Sequence, residues 1–268
     1  MNVTFEPDLN PAQLWQILLH EARATEQKEP FLAPVLKRTL LDRGSLQDAI
    51  AHRLAGDLAS AGMGEGAYLT LLSDVLDEDP AIVADTALDF IAVYSNDPAC
   101  RTHVHAFLNY KGFHALQVHR IAHRLWNTGR RELAVWLSNR ASAVSGTDIH
   151  PAAKFGAGIM LDHGSGIVIG ETAVVEDNVT ILQNVTLGGT GKIQGDRHPK
   201  VRRGVMIGTG ANIIGNIEIG AFSKVGAGSV VLKDVPQGCT VAGIPAQIVR
   251  LHPAAEFPAV GPVQPFHC

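Results

Sequence analysis

The chain is 268 residues long, room for one large domain or two modest ones. Hydrophobic residues make up 46% of it and charged residues 18%, at a mean hydropathy of +0.11, which excludes a disordered chain and leaves ample material for a core. A net charge of −4 excludes a broad basic surface for nucleic acid, while leaving room for a local basic pocket that takes an anion.

Met1 to Asp8 carry neither a basic stretch nor an apolar core, so no signal peptide is expected. No uninterrupted apolar run approaches the ~20 residues that cross a bilayer. Cys100, Cys239 and Cys268 are far apart and lack metal-ligand spacing, which predicts ordinary thiols in a reduced, cytoplasmic protein. Cys268, at the chain end, is expected to be the most exposed of them.

From about residue 10 to 145 the apolar residues follow a helical period. Pro11 opens the first helix at a position where its missing N–H costs least. Pro30, Pro34, Gly44, Gly62-Met63-Gly64, Pro80 and Pro98 punctuate the later helical stretches. Lys111 to Trp126 form a further helix with Phe113, Leu116, Gln117, Ile121 and Leu125 at three- and four-residue spacing. His114, His119 and His123 on that helix are read as packing residues, because their spacing makes no convincing ligand pair.

After about residue 148 the period becomes six. Every sixth residue reads Ile149, Phe155, Leu161 and Ile167, then, after a two-residue slip, Ile169, Val175, Ile181 and Leu187. The run resumes with Val201, Ile207, Ile213, Ile219, Val225 and Val231. Small or β-branched residues recur four positions later, as at Ala173, Val179, Val185, Ala211, Ser223 and Ser229. Helices repeat at 3.6 and simple strands at two, so a period of six signals stacked β-helix coils with glycine relieving crowding at the corners. Gly188 to Lys200 interrupt the repeat with a polar, glycine-rich stretch that should project as a loop.

The pattern resembles the hexapeptide-repeat acyltransferases. The expected fold class is therefore α+β, an all-helical N-terminal domain followed by a left-handed parallel β-helix with one extruded loop. The expected divisions are residues 1–146 for the helices, 147–250 for the β-helix and 251–268 for a flexible tail.

Acyl transfer from a thioester to an alcohol needs a base, because a hydroxyl is a poor nucleophile at neutral pH. Histidine suits the task, and a carboxylate behind it fixes the tautomer. The repeat region offers His150 in Asp148-Ile149-His150-Pro151, His163 in Leu161-Asp162-His163-Gly164, and His198 in Asp196-Arg197-His198-Pro199-Lys200. His163 follows an aspartate and precedes a glycine-rich turn, which favours it, although spacing alone does not establish a contact with Asp148.

These three motifs, together with Asn96-Asp97-Pro98-Ala99, Tyr110-Lys111-Gly112-Phe113-His114-Ala115-Leu116-Gln117, Gly170-Glu171-Thr172 and Val185-Thr186-Leu187-Gly188-Gly189-Thr190-Gly191-Lys192, resemble serine acetyltransferases from about Leu14 to Val249. The resemblance implies acetyl-CoA as co-substrate, with no permanently bound cofactor and no metal, and L-serine as acceptor. It implies His163 as general base and Asp148 as its orienting carboxylate. Asp97 and Asp162 would meet the serine ammonium and Arg197 its carboxylate, and His198 would contribute to the same pocket. Asp148 and Asp97 can also be read as turn or helix caps, and Arg197 as a solvated charge. Gly189, Thr190, Ala211, Lys224 and Ala227 are expected along the acetyl-CoA groove between β-helices of a homotrimer, which the helical domain would join into a dimer of trimers. Glu171 receives no role.

L-cysteine is the implied feedback inhibitor. Many family members dock a terminal isoleucine into O-acetylserine sulfhydrylase, but this chain ends His267-Cys268, so that complex is expected to be weak or absent. A sugar or antibiotic acetyltransferase is the alternative on the same scaffold, without the long helical domain or the Asp-Arg-His-Pro-Lys loop. A three-histidine zinc enzyme finds no close histidine pair in the repeat, and a non-catalytic scaffold has no use for Asp148 and His163.

Overall fold

A computed structural model describes residues 10–253. Helix α1 (Pro11–Lys28) begins where expected, with Asn10 and Gln13 satisfying each other's backbone N–H in a capping box. The prolines at 30 and 34 break the next stretch into a 3₁₀ turn (Pro30–Leu32), a short α2 (Ala33–Leu36) and a π-helical turn (Lys37–Leu41). Helices α3 (Leu46–Leu58), α4 (Glu65–Glu78), α5 (Ala81–Asn96) and α6 (His103–Asn109) come after them. Next come α7 (Lys111–Asn127) and α8 (Arg131–Ser145), the last closed by Gly146 in the left-handed conformation that glycine adopts freely. Their shared core is built on Leu14, Leu18, Leu54, Tyr68, Phe90 and Phe107.

The chain then winds in coils of three short strands. The first coil holds β1 (Asp148–Ile149), β2 (Lys154–Phe155) and β3 (Met160–Leu161). The second holds β4 (Val168–Ile169), β5 (Val174–Val175) and β6 (Thr180–Ile181), and the third β7 (Thr186–Gly188), β8 (Lys200–Val201) and β9 (Met206–Ile207). The fourth holds β10 (Asn212–Ile214), β11 (Glu218–Ile219) and β12 (Lys224–Val225). After β13 (Val230–Val231), an antiparallel pair, β14 (Cys239–Gly243) and β15 (Ala246–Leu251), ends the stack. Parallel pairing makes three walls, β1-β4-β7-β10-β13, β2-β5-β8-β11 and β3-β6-β9-β12-β14. This is the left-handed parallel β-helix expected from the six-residue period.

Each strand turns its aliphatic residue inward, and the recurring small residues fill the corners: Ala173, Val179, Val185, Ala211, Ser223 and Ser229 are all buried. The corner glycines answer to sterics, since a Cβ on Gly220 would lie 2.5 Å from the Gln237 nitrogen. One detail of the expected phase is corrected. Ile169 pairs with Ile149, so Ile167 occupies the corner position and not the strand position. The two extra residues therefore fall within Asp162 to Gly166, before Ile167. Burial could not reveal this, because Ile167 is fully buried in either register. The loop between β7 and β8 projects as expected, with Thr190 to Asp196 exposed.

Two of the contacts that fasten the helices to the first coil are buried at the junction. Asp89 of α5, fully buried, accepts two hydrogen bonds from the Arg120 guanidinium, one from Gln117 and one from the backbone N–H of Ile159. Arg120 also donates to the Gly156 carbonyl at 2.7 Å. The second contact is a backbone approach: a Cβ on Gly112 would stand 2.1 Å from the Leu161 carbonyl oxygen. His114 and His119 are buried, as expected for packing residues. His114 donates to the Phe107 carbonyl, and His119 rests edge-on against Phe155.

Removing one partner of a buried ion pair strands the other. Asp89→Ala should therefore cost about 3–5 kcal/mol, read as a lowered urea midpoint or Tm. A change within a few tenths of a kcal/mol would show that Asp89 does not hold the junction.

Candidate active site

The extra residues in the β3–β4 corner build an unusual turn. His163 adopts φ 57, between Asp162 and Gly164 at φ 74, so a non-glycine residue holds a sparsely populated backbone conformation. Its side chain is 69% exposed, and its ring lies 3.7 Å from Asp162. Thr147 donates to the Gly164 carbonyl at 2.8 Å, which ties the strand carrying Asp148 to the turn carrying His163. Asp148 is exposed at the start of β1, and no hydrogen bond joins its side chain to His163.

Three consecutive residues carry the helical part into this corner. Gly112 packs on Leu161 and Gly164, Lys111 Nζ bonds Ser165 Oγ, and the Tyr110 hydroxyl donates to Asp97. Asp97 ends α5, and its other oxygen accepts the Ala99 N–H at 2.8 Å. The structure thus brings Asp97, Asp162 and His163 to one edge of the β-helix. Asp97 serves as a local cap as well, so the two readings of that residue are compatible.

Arg197 and His198 lie at the next corner, after β7, on the edge shared with the turns after β1 and β4. Thr172 Oγ accepts the backbone N–H groups of both, at 2.9 and 3.1 Å. The Thr172 N–H donates to His198 Nδ1 at 3.2 Å, which leaves the proton of the neutral ring on Nε2. Burial and the nearby Arg197 charge push the His198 pKa below the usual imidazole value, so the ring is held neutral. It packs closely against Gly170, where a Cβ would meet Nε2 at 2.0 Å. The Arg197 guanidinium donates to Glu171 at 2.6 Å and to the Gly195 carbonyl at 3.0 Å, keeping further N–H groups available. That bond holds the Glu171 carboxyl below its usual pKa.

His150, in the turn after β1, lies on the Arg197 edge. Burial lowers its pKa first, and the charges of Glu171, Arg197 and Asp148 all act on it. Among the described residues no hydrogen bond or ion pair within the chain joins Asp148, Asp162 or His163 to Arg197 or His198.

The corner beneath His163 is a continuous ladder. Asn184 donates to the Ser165 carbonyl, Gly210 to Gln183 and Gly228 to Thr209, at 2.8 to 2.9 Å. Ala227 is exposed at the foot of this edge. Ala211 lies in the same stack, but its methyl is buried and its amide and carbonyl bond Gly208 and Thr186. Gly189 and Thr190 sit on the Arg197 edge instead, and Lys224 is exposed on the third wall.

The serine acetyltransferase of Salmonella typhimurium is 51% identical over 254 residues, 95% of this chain and 93% of its own length. The chain belongs to the serine acetyltransferase family. The family model for the serine acetyltransferase N-terminal region matches residues 14–118. Soybean serine acetyltransferase, solved in complex with serine, matches with a TM-score of 0.87 and 47% identity over 89% of this chain and 98% of that one. The Brucella abortus serine acetyltransferase, solved with coenzyme A, matches with a TM-score of 0.88 and 47% identity over 90% and 96%.

Sequence reasoning missed several residues that shape this candidate site. Glu171 orients Arg197, Thr172 holds the backbone of the Arg197-His198 pair, and Gly170 makes room for the His198 ring. The Gly170-Glu171-Thr172 motif was visible, but its partners lie about one coil away. Among the described residues no group of three or more His, Cys, Asp or Glu is arranged to hold a metal, and no helix is long and apolar enough to cross a membrane. Residues 254–268, including Cys268 and the chain end, lie outside the described residues.

A methyl group at 170 has no space beside the His198 ring. Gly170→Ala should expel that ring into solvent and return its NMR titration midpoint toward the ordinary value of about 6.5. An unchanged, depressed midpoint would contradict this packing.

Proposed function

We propose that the chain is an acetyl-CoA-dependent serine O-acetyltransferase that forms O-acetylserine and CoA by direct transfer in a ternary complex. The observation that carries this reading is the strap of residues 110–112, which sets Asp97 beside the turn of Asp162 and His163. Two carboxylates and an exposed imidazole at one corner suit an amino acid that presents an ammonium and a hydroxyl. The relatives solved with serine and with coenzyme A support the same assignment.

In this reading His163 takes the serine hydroxyl proton as the oxygen attacks the thioester carbonyl. The tetrahedral intermediate collapses by breaking the carbon–sulfur bond, and the proton on His163 passes to the departing CoA thiolate. Asp148 favours the imidazolium that forms between these events. Asp97 and Asp162 receive the substrate ammonium, while Arg197 and the Nε2–H of His198 receive its carboxylate.

The two edges meet when copies of the chain associate through the first wall. Val168, Asn212, Val230 and Leu232 face outward there, whereas the second wall carries Lys154, Lys200, Glu176, Arg202 and Glu218. A wall whose strands carry Asp148 as their one charged residue, packed around a three-fold axis, sets the His163 edge of one copy against the Arg197 edge of the next. Acetyl-CoA then lies along the ladder that runs from His163 to Ala227, with Gly189 and Thr190 of the adjacent copy and Lys224 flanking it. The helical domain joins two such trimers through faces that expose Val135 and Trp136. L-cysteine, which differs from L-serine only by sulfur for oxygen, competes for the same ammonium and carboxylate groups. The protein is assigned to cysteine biosynthesis in the cytoplasm.

The test is CoA-thiol release from acetyl-CoA with L-serine as acceptor, in the wild type and His163→Ala. Loss of a general base should lower turnover roughly 10²–10⁴-fold while acetyl-CoA binding persists. Folded wild-type protein that releases no thiol with serine, or releases it with a sugar instead, would overturn the assignment.

A further inference from the structure

Asp97 is the last residue before α5 gives way to loop, and a carboxylate there turns easily about its Cβ–Cγ bond, a broad sp³–sp² torsion. Two groups stop that rotation. The Ala99 N–H occupies Oδ1 at 2.8 Å, and the phenolic hydroxyl of Tyr110 donates to Oδ2. Each oxygen keeps its remaining acceptor capacity free for a cation. Tyr110 is itself placed from both sides. It precedes the first turn of α7, where Lys111 and Gly112 grip the His163 turn, and His105 meets its ring edge-on at 5.4 Å.

We infer that Tyr110 is a positioning residue for the amino-acid substrate, fixing the plane and direction of the Asp97 carboxylate so that it meets the substrate ammonium without reorganisation. The inference rests on the reading of Asp97 as the ammonium site. It adds a residue that touches no substrate and acts through Asp97, its hydroxyl also lying against the Cys100 thiol. Pre-orienting a charged acceptor lowers the ordering cost of binding, so the effect belongs to the acceptor amino acid and not to acetyl-CoA. Burial, and then the bond to Asp97, raise the Tyr110 pKa, so the phenol keeps its proton throughout the working range and remains a donor. The contribution should therefore be flat from about pH 6 to pH 9.

Tyr110→Phe removes the hydroxyl and keeps the ring that packs on His105. Steady-state kinetics of the full-length protein should show KM for L-serine raised about tenfold, the scale of one hydrogen bond to a charged group. KM for acetyl-CoA should be unchanged. In an Asp97→Asn background, the Tyr110→Phe change should add nothing further to KM for serine, because its route is already cut. Equal shifts in both KM values, an unchanged serine KM, or an effect undiminished beside Asp97→Asn would each overturn the inference. Should Asp97→Asn turn over too slowly to measure, the split between the two KM values in Tyr110→Phe alone decides the matter. Wild-type protein inactive on serine would instead sink the functional reading beneath it, and that outcome is seen before any variant is assayed.

Discussion

Gly112 and Gly164 allow the beginning of α7 to rest directly on the turn that carries His163. A side chain on either would collide with backbone: at Gly112 with the Leu161 carbonyl oxygen, at Gly164 with the Gly112 Cα at 2.8 Å. Everything at the candidate site is measured from that approach. It puts Lys111 on Ser165 and Tyr110 on Asp97, so the end of α5 becomes part of a β-helix corner. Without it the two parts of the chain would carry their acidic residues on separate surfaces.

The approach is backed by the buried Asp89–Arg120 cluster, which grips the same coil at Ile159, two residues before Leu161. Asp89 and Asp97 lie on one helix, roughly two turns apart. Anchoring the first against Ile159 therefore limits where the second can be. A rigid coil stack supplies the opposite wall, since each corner is bonded to the corner above it. The left-handed conformation of His163 recurs at Asn178, Asn184 and Phe222, so it belongs to the corners of the coil stack.

The six-residue period made the β-helix readable because each coil repeats the same steric problem, an aliphatic residue inward and a small one at the corner. The helical part was readable as helices from its periodicity and its prolines. The position of the two-residue slip was not, since Leu161, Ile167 and Ile169 are all apolar and all buried. Nor were Asp89, Gly112 and Glu171 legible as site-shaping residues. Their partners, Ile159, Leu161 and Arg197, lie 26 to 70 residues away in sequence. A period speaks for neighbours on one element and is silent about which distant backbone atom a glycine must admit. The separation of His163 from Arg197 on two edges was equally hidden, because both belong to motifs that read as one site.

That separation makes the central proposal, a site completed between copies of the chain, testable. His163→Ala and Arg197→Ala proteins, each inactive alone, should be unfolded together, mixed in equal amounts and refolded. A site drawn from two copies predicts recovery of roughly one quarter of wild-type serine acetylation, the random-mixing share in which an intact His163 edge faces an intact Arg197 edge. Mixtures that reassemble fully and stay as inactive as either parent would contradict the account and place the whole site within one chain.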